Sequence, residues 1–352
     1  MATKLSDVAE RAGVSLTTVS RVINYDKTMN VTKETEEKIW ESVHELGYKV
    51  KPKKRSTSTS SKNKNIGYIV TKDESSFDDS YFSDIIKGIE AELISKKCNL
   101  SFALSAEEFS AAELKEKCDS IDCDGIIFIG EVPFSICQHF YNKGIAAVEM
   151  LRGYDEFKND RISINFERAS YLLVDRMIQL GHKNIAFLGD TTGFTEERIN
   201  LFDYEGRFRG YVMALLANQI SLSPELIINI NWEMEKAYTE TKKLLASQDN
   251  ITAIFAANDK VAIGAMRAIQ EHGYSIPEDI SVTGCDNIEF SQYVTPPLTT
   301  IAYPRSELGR EAVRILLEKI HSSDPITKSC TRNIQFAAQI IERKSVSVCP
   351  SN

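Results

Sequence analysis

Between Ser15 and Asn24 the chain reads SLTTVSRVIN. Coiled as a helix, this stretch turns Leu16, Thr17, Ser20, Arg21 and Asn24 to one side and Val19, Val22 and Ile23 to the other, with Ser15 placed to cap the first turn. Hydroxyls, a carboxamide and a guanidinium on one exposed face suit the base edges and phosphates of a DNA major groove. The same pattern describes the wet face of a small helical bundle, and periodicity alone leaves the two readings level. The stretch 51–65, KPKKRSTSTSSKNKN, shifts the balance toward DNA: it has no acid and six basic side chains, Lys51, Lys53, Lys54, Arg55, Lys62 and Lys64.

The net charge of −8 argues the other way, but it is unevenly spread. Residues 1–64 hold 13 Lys and Arg against 8 Asp and Glu, and the rest hold 29 against 42. Salt screens fields beyond about 8 Å, so the local excess decides what the N-terminal segment attracts. Nothing points to catalysis. The sequence has no G-x-S-x-G elbow, P-loop, G-x-G-x-x-G or H-E-x-x-H, and His44, His139, His182, His272 and His321 have no metal-ligand spacing. The seven cysteines never fall as C-x-x-C and are read as reduced thiols. No enzyme, cofactor or metal site is therefore expected. No apolar run is long enough to span a membrane, and MATKLSDVAERAGVS is charged where a signal peptide is apolar, so the expectation is a cytoplasmic protein without a membrane partner.

The elements that must position these residues follow from periodicity. A first helix from Leu5 to Ala12 groups Leu5, Val8, Ala9 and Ala12 and stops at Gly13; the second carries the face described above. Thr32 caps a third, with Ile39, Val43 and Leu46 at helical spacing before Gly47. Short helix, glycine turn, short helix and a longer buttress is the helix-turn-helix pattern. From Ile66 onward IGYIV, LSFAL, GIIFIG, IAAVEM, NIAFLG, LIINI, TAIFAAND and ISVTGCD alternate with amphipathic stretches. That alternation predicts an α/β body of parallel sheets covered by helices on both faces, and its length predicts two lobes. The expected division is a headpiece at 1–50, a basic hinge at 51–65, one lobe from 66–162 and 291–322, and a second from 163–290 and 323–344.

The run KLSDVAERAGVSLTTVSRVIN followed by VTKETEEKIWESVHELGYK resembles the headpiece of the lactose-repressor family. YFSDIIKGIE, LGHKNIAFLG, ERIN with EGRFRGY, IFAANDKVAIGAMRAI, ISVTGCDN and TPPLTTI extend the resemblance over essentially the whole chain. It implies a helix-turn-helix headpiece joined to a two-lobed, periplasmic-binding-protein-like domain of doubly wound sheets. It also implies a homodimer that reads double-stranded operator DNA in two half-sites and is released by a small sugar effector bound between the lobes. A galactose or galactoside operon is favoured. By position, Leu16, Thr17, Ser20 and Arg21 meet the major groove. Relatives kink the DNA with a leucine on a hinge helix; residues 49–65 contain none, so Lys53, Lys54 and Arg55 are expected to track the phosphate backbone instead.

In the body the resemblance makes Arg207 the gripping fork for effector hydroxyls and Asp259 their acceptor, although Asn258 and Asp259 could equally cap a helix. Tyr81, Phe82 and Trp232 follow strands, where a ring could cover the apolar side of a sugar. Glu149 ends IAAVEM, Asp286 lies in a strand-end loop, and Asn165 follows Ile164 where relatives have an aspartate. The alternatives are a catabolite-control-type regulator switched by a phosphorylated partner protein, and a sugar carrier that does not bind DNA. The 11 residues after Ile341 hold no leucine heptad, so a dimer is expected rather than a tetramer.

Overall fold

A computed structural model describes residues 5–23, 31–46, 63–71, 80–120, 122–191, 194, 205–248 and 250–350. They form two units, divided between residues 62 and 63. The first contains α1 (Leu5–Ala12), α2 (Leu16–Ile23) and α3 (Lys33–Glu45). Gly13 adopts φ +66°, which frees Val14 N–H to reach Ala9 O at 3.1 Å and close α1. Ser15 Oγ accepts from Thr18 N–H at 3.1 Å to start α2, and Thr32 Oγ1 accepts from Thr35 N–H at 3.3 Å to start α3. Val8, Ala9, Val19, Val22, Ile39 and Val43 form the buried centre of the three helices.

The second unit begins β1 (Asn65–Val70), α4 (Ser80–Ser95), β2 (Asn99–Ser105), α5 (Ala111–Ser120), β3 (Gly125–Ile129), α6 (Phe134–Asn142), β4 (Ala146–Met150) and β5 (Asp160–Ile164). It continues through α7 (Phe166–Gln179), β6 (Ile185–Gly189), α8 (Gly206–Ala217), β7 (Ile227–Asn229), α9 (Met234–Ser247), β8 (Ala253–Ala256), α10 (Asp259–Glu271), β9 (Ser281–Thr283) and β10 (Thr300–Ala302). α11 (Arg305–His321), α12 (Pro325–Ser329), β11 (Asn333–Phe336) and β12 (Gln339–Ile341) complete it. One sheet has the order β11-β5-β4-β3-β1-β2 and the other β7-β6-β8-β9, and every pairing in both is parallel. Strands such as β3 and β8 are buried at every position, as strands covered on both faces require.

The pairing corrects the expected lobe boundaries at the C-terminal end. Within 291–322, β10 packs on α7 beside the second sheet while α11 packs on α4 and the first. Within 323–344, β11 adds to the first sheet at β5, whereas β12 forms an antiparallel ribbon with β10. Ion pairs fasten β11 there: Asp160 on β5 is fully buried and binds Arg332, just before β11, at 2.9 Å and Lys319 at 3.4 Å. Apolar periodicity does not report which sheet edge a strand will join. Among the described residues no helix is long and apolar enough to cross a membrane.

Candidate functional site

Two surfaces concern function, one in each unit. On α2, Leu16 is 52% exposed, Thr17 is exposed, and Ser20 is half-buried with a partner of its own. Ser15 Oγ is occupied by the cap and by Thr18 Oγ1 at 2.8 Å, so its hydroxyl serves the helix first. The Arg21 side chain and the whole of Asn24, Lys53, Lys54 and Arg55 lie outside the described residues.

In the second unit, Glu205 caps α8 by accepting from Arg207 N–H at 2.7 Å, a favourable place for a carboxylate near a helix N-terminus. Gly210 lets α8 press against α7, because a Cβ there would strike the carbonyl of Glu167. Arg207 is thereby buried, 7% exposed. Its guanidinium carbon lies 3.9 Å from the Phe166 ring centroid and 4.9 Å from that of Trp232. Its terminal nitrogens stand 3.4 Å from Glu205 and 3.4 Å from Asp286. Nε–H has no hydrogen-bond partner among the described residues. Burial opposes the charge on Arg207, but Cys285, Glu205, Asp286 and Tyr303 outweigh it and hold its pKa well above the ordinary value.

Asp286 lies in the loop after β9, 6% exposed, and accepts from Tyr303 Oη–H at 2.7 Å. Its backbone has φ +105°, and Asn287 follows at φ +50°, conformations costly for residues other than glycine. The surroundings impose them: Asp286 N–H donates to Ile301 O at 2.9 Å, Arg305 grips the Asp286 carbonyl, and Arg343 donates to Asn287 Oδ1 at 2.6 Å. Strain maintained in this way is characteristic of sites that must present one side chain in one orientation.

Phe166 and Glu205 also line a cleft of about 640 Å³; Arg207 is not in its wall but packs directly against both, with Trp232 and Asp286 also against Arg207. The wall takes Glu131 after β3, Leu151 and Arg152 after β4, Ser163 to Phe166 at the β5–α7 crossover, Asp190 after β6, Glu205, Gly206 and Arg209 at the start of α8, and Gln335 on β11. Strand C-terminal ends of both sheets thus converge on one crevice, where open α/β sheets place ligands.

The cleft gathers some expected residues and leaves others out. Asn165 lines it while its Oδ1 caps α7 by accepting from Arg168 N–H at 2.9 Å. Trp232 stacks on Arg207 and does not line the cleft. Phe82 packs half-buried against the main core and does not line the cleft, and the Tyr81 side chain lies outside the described residues. Two expectations need correction. Glu149 is 1% exposed and its oxygens accept from Tyr154 N–H (3.1 Å), Arg161 Nε–H (3.0 Å) and Asn159 Nδ2–H (2.9 Å), so it braces the loop after β4 rather than reaching the cleft. Asp259 is fully buried; Thr300 Oγ1–H donates to one oxygen at 2.5 Å and Ile288 N–H to the other at 2.9 Å, while Asn258 provides the cap of α10. Burial, and then the charge of Asp286, raises the Asp259 carboxyl to about 7. Asp259 therefore ties α10 to β10 beneath the site, and Asp286 is the acid beside Arg207.

The family model for bacterial regulatory proteins of the lacI family matches residues 4–50, and that for a periplasmic binding protein-like domain matches residues 174–346. The HTH-type transcriptional repressor PurR of Aliivibrio fischeri (strain ATCC 700601 / ES114) is 34% identical over 354 residues, covering 97% of this chain and 98% of that protein. The chain belongs to the lacI family. It is accordingly a DNA-binding transcriptional regulator with a helix-turn-helix domain and a periplasmic-binding-protein-like body. The lac repressor dimer bound to operator and the anti-inducer ONPF aligns with a TM-score of 0.66 and 25% identity, covering 99% of this chain and 100% of that one. A lacI-family regulator from Enterococcus faecium with bound ribose gives 0.67 and 27%, covering 81% and 99%.

Most of the wall of this lacI-family cleft, including Glu131, Arg152, Asp190 and Arg209, escaped the sequence reading, as did three residues packed around Arg207 and Asp286. Phe166 follows Asn165 directly and reads as an ordinary helix-start aromatic; Tyr303 reads as a core residue before Pro304; Glu205 is one of many acids. The helix-capping position of Glu205, immediately before GRFRGY, was the one usable signal.

Proposed function

We propose that this protein is a homodimeric repressor of a sugar-utilisation operon, released from a near-palindromic operator when a small sugar enters the cleft between the lobes. The relative from Aliivibrio fischeri is named a repressor, and the aligned lac repressor was solved as a dimer on operator DNA, which supports the assembly and the DNA partner. Leu16, Thr17, Ser20, Arg21 and Asn24 read base edges and phosphates, with Lys53, Lys54 and Arg55 on the phosphate backbone.

The observation that carries the effector half is Arg207: a buried guanidinium, stacked by Phe166 and Trp232, beside Asp286, whose Nε–H has no hydrogen-bond partner among the described residues. A buried donor left unmatched costs about 1–3 kcal/mol, and a ligand oxygen supplying the missing acceptor recovers it. Asn165, Trp232 and Asp286 complete the grip. The Enterococcus faecium regulator was solved with bound ribose, which supports a sugar, and the galactose or galactoside preference is retained as the first to try. Sugar binding changes operator affinity to the extent that the sugar prefers one arrangement of the lobes.

The test is fluorescence anisotropy of full-length protein on labelled operator DNA, titrated with galactose, lactose and ribose, beside Arg207→Ala. Release of wild type by one of these sugars with retention of Arg207→Ala is expected. Release of both to the same degree would place the effector elsewhere.

A further inference from the structure

The charges along the cleft wall bear on which effectors can enter. Arg152, after β4 in the first lobe, stands 3.3 Å from Glu131 and reaches across to Asp190 of the second lobe at 3.9 Å. Arg209 is bound to Glu167, and Arg207 lies between Glu205 and Asp286. Among the described residues of the wall, then, each arginine already faces a carboxylate, and Glu131, Glu167, Asp190 and Glu205 outnumber Arg152 and Arg209. A phosphate or carboxylate on a ligand needs a cation that is not already compensated, and in a partly desolvated crevice it would also meet these acids at close range. A hydroxyl suits the same wall, because Glu131, Glu167, Asp190 and Glu205 can accept its hydrogen and its oxygen can accept from Arg152 and Arg209 without having to neutralise them.

We infer that the cleft selects an uncharged, hydroxyl-rich effector and turns away its phosphorylated and carboxylated counterparts, with Glu131 and Asp190 as specificity-determining residues at the mouth. This rests on the reading that the cleft holds the effector. Arg152 adds a second feature, since its pair with Asp190 spans the two lobes and leaves it no uncompensated positive charge to offer an anionic ligand.

The experiment compares matched pairs on the full-length protein by titration calorimetry: galactose with galactose 6-phosphate and galacturonate, glucose with glucose 6-phosphate, and ribose with ribose 5-phosphate. At low salt a neutral sugar should bind at least tenfold more tightly than its anionic partner. The gap should narrow at 0.5 M KCl, where screening shortens the reach of the wall charges. In the double variant Glu131→Gln, Asp190→Asn the anionic partner should gain severalfold relative to the neutral one. Equal or tighter binding of a phosphorylated sugar to wild type overturns the inference and leaves the regulator reading standing, as does an unchanged ratio in the double variant. A neutral sugar that binds Arg207→Ala as tightly as wild type, or a panel in which nothing binds, overturns the cleft reading and the inference with it.

Discussion

Replacing Asp259 by Asn should remove a pH dependence from the stability of the two-lobed unit. Burial and the neighbouring Asp286 raise the Asp259 carboxyl from 3.8 to about 7. Between those values the folded chain holds a proton that the unfolded chain has released, so the stability this group contributes is complete at low pH and is lost as pH rises toward 7. At about 1.36 kcal/mol per pH unit, going from pH 5 to pH 8 removes about 2.5 kcal/mol. Asn has nearly the same shape and does not titrate. Turned so that Nδ2–H donates to Thr300 Oγ1 and Oδ1 accepts from Ile288 N–H, it keeps one hydrogen bond to each group that Asp259 contacts now, with the Thr300 hydroxyl changing from donor to acceptor. Relative to wild type, Asp259→Asn should therefore gain about 2.5 kcal/mol across this range. The buried His182, whose pKa burial lowers, works in the opposite direction but is common to both proteins. Urea unfolding at pH 5, 6, 7 and 8 can be followed by Trp232 in a Trp40→Phe background, these being the two tryptophans. Parallel stability curves for the two proteins would refute the argument.

Thr17→Ala and Arg21→Ala should each weaken operator binding by about 1–3 kcal/mol with native circular dichroism, and unchanged anisotropy titrations would remove α2 from the DNA. Asp286→Ala should keep operator binding and lose the sugar response, whereas a normal response in a reporter strain would exclude Asp286 from the grip. Glu149→Ala should destabilise the body by about 1–3 kcal/mol because it removes the acceptor of the buried Asn159 amide and of Tyr154 N–H, while Arg161 keeps Asp155, an effect read from urea midpoints with or without sugar. Light scattering at micromolar concentration should give a mass near two chains; a monomer would defeat the two-half-site mechanism, since one headpiece makes few phosphate and base contacts.

Local chemistry made much of this protein legible from its residues alone. The caps at Ser15 and Thr32, the stop at Gly13 and the apolar spacing of Val8, Val19, Ile39 and Val43 act within a few residues, so the headpiece helices could be drawn from the chain. The fully apolar strands announced parallel sheets for the same reason, because burial on both faces leaves no alternation to hide. Arg207 and Asp286 were named before the fold was known. Their partnership was not, because residues 79 positions apart meet only when α8 and the β9 loop pack together. Asp259 shows the converse. It sits in a motif that looks like a ligand grip, and the tertiary structure buries it under Thr300 and Ile288, which are contributed by a later loop and a crossover strand. Glu149 is claimed in the same way by Arg161, and β11 is fastened to β5 by Arg332 and Asp160. Sequence periodicity reports which face of an element is apolar. Which buried charge meets which partner, and so which acid stands beside Arg207, depends on long-range packing that no local pattern encodes.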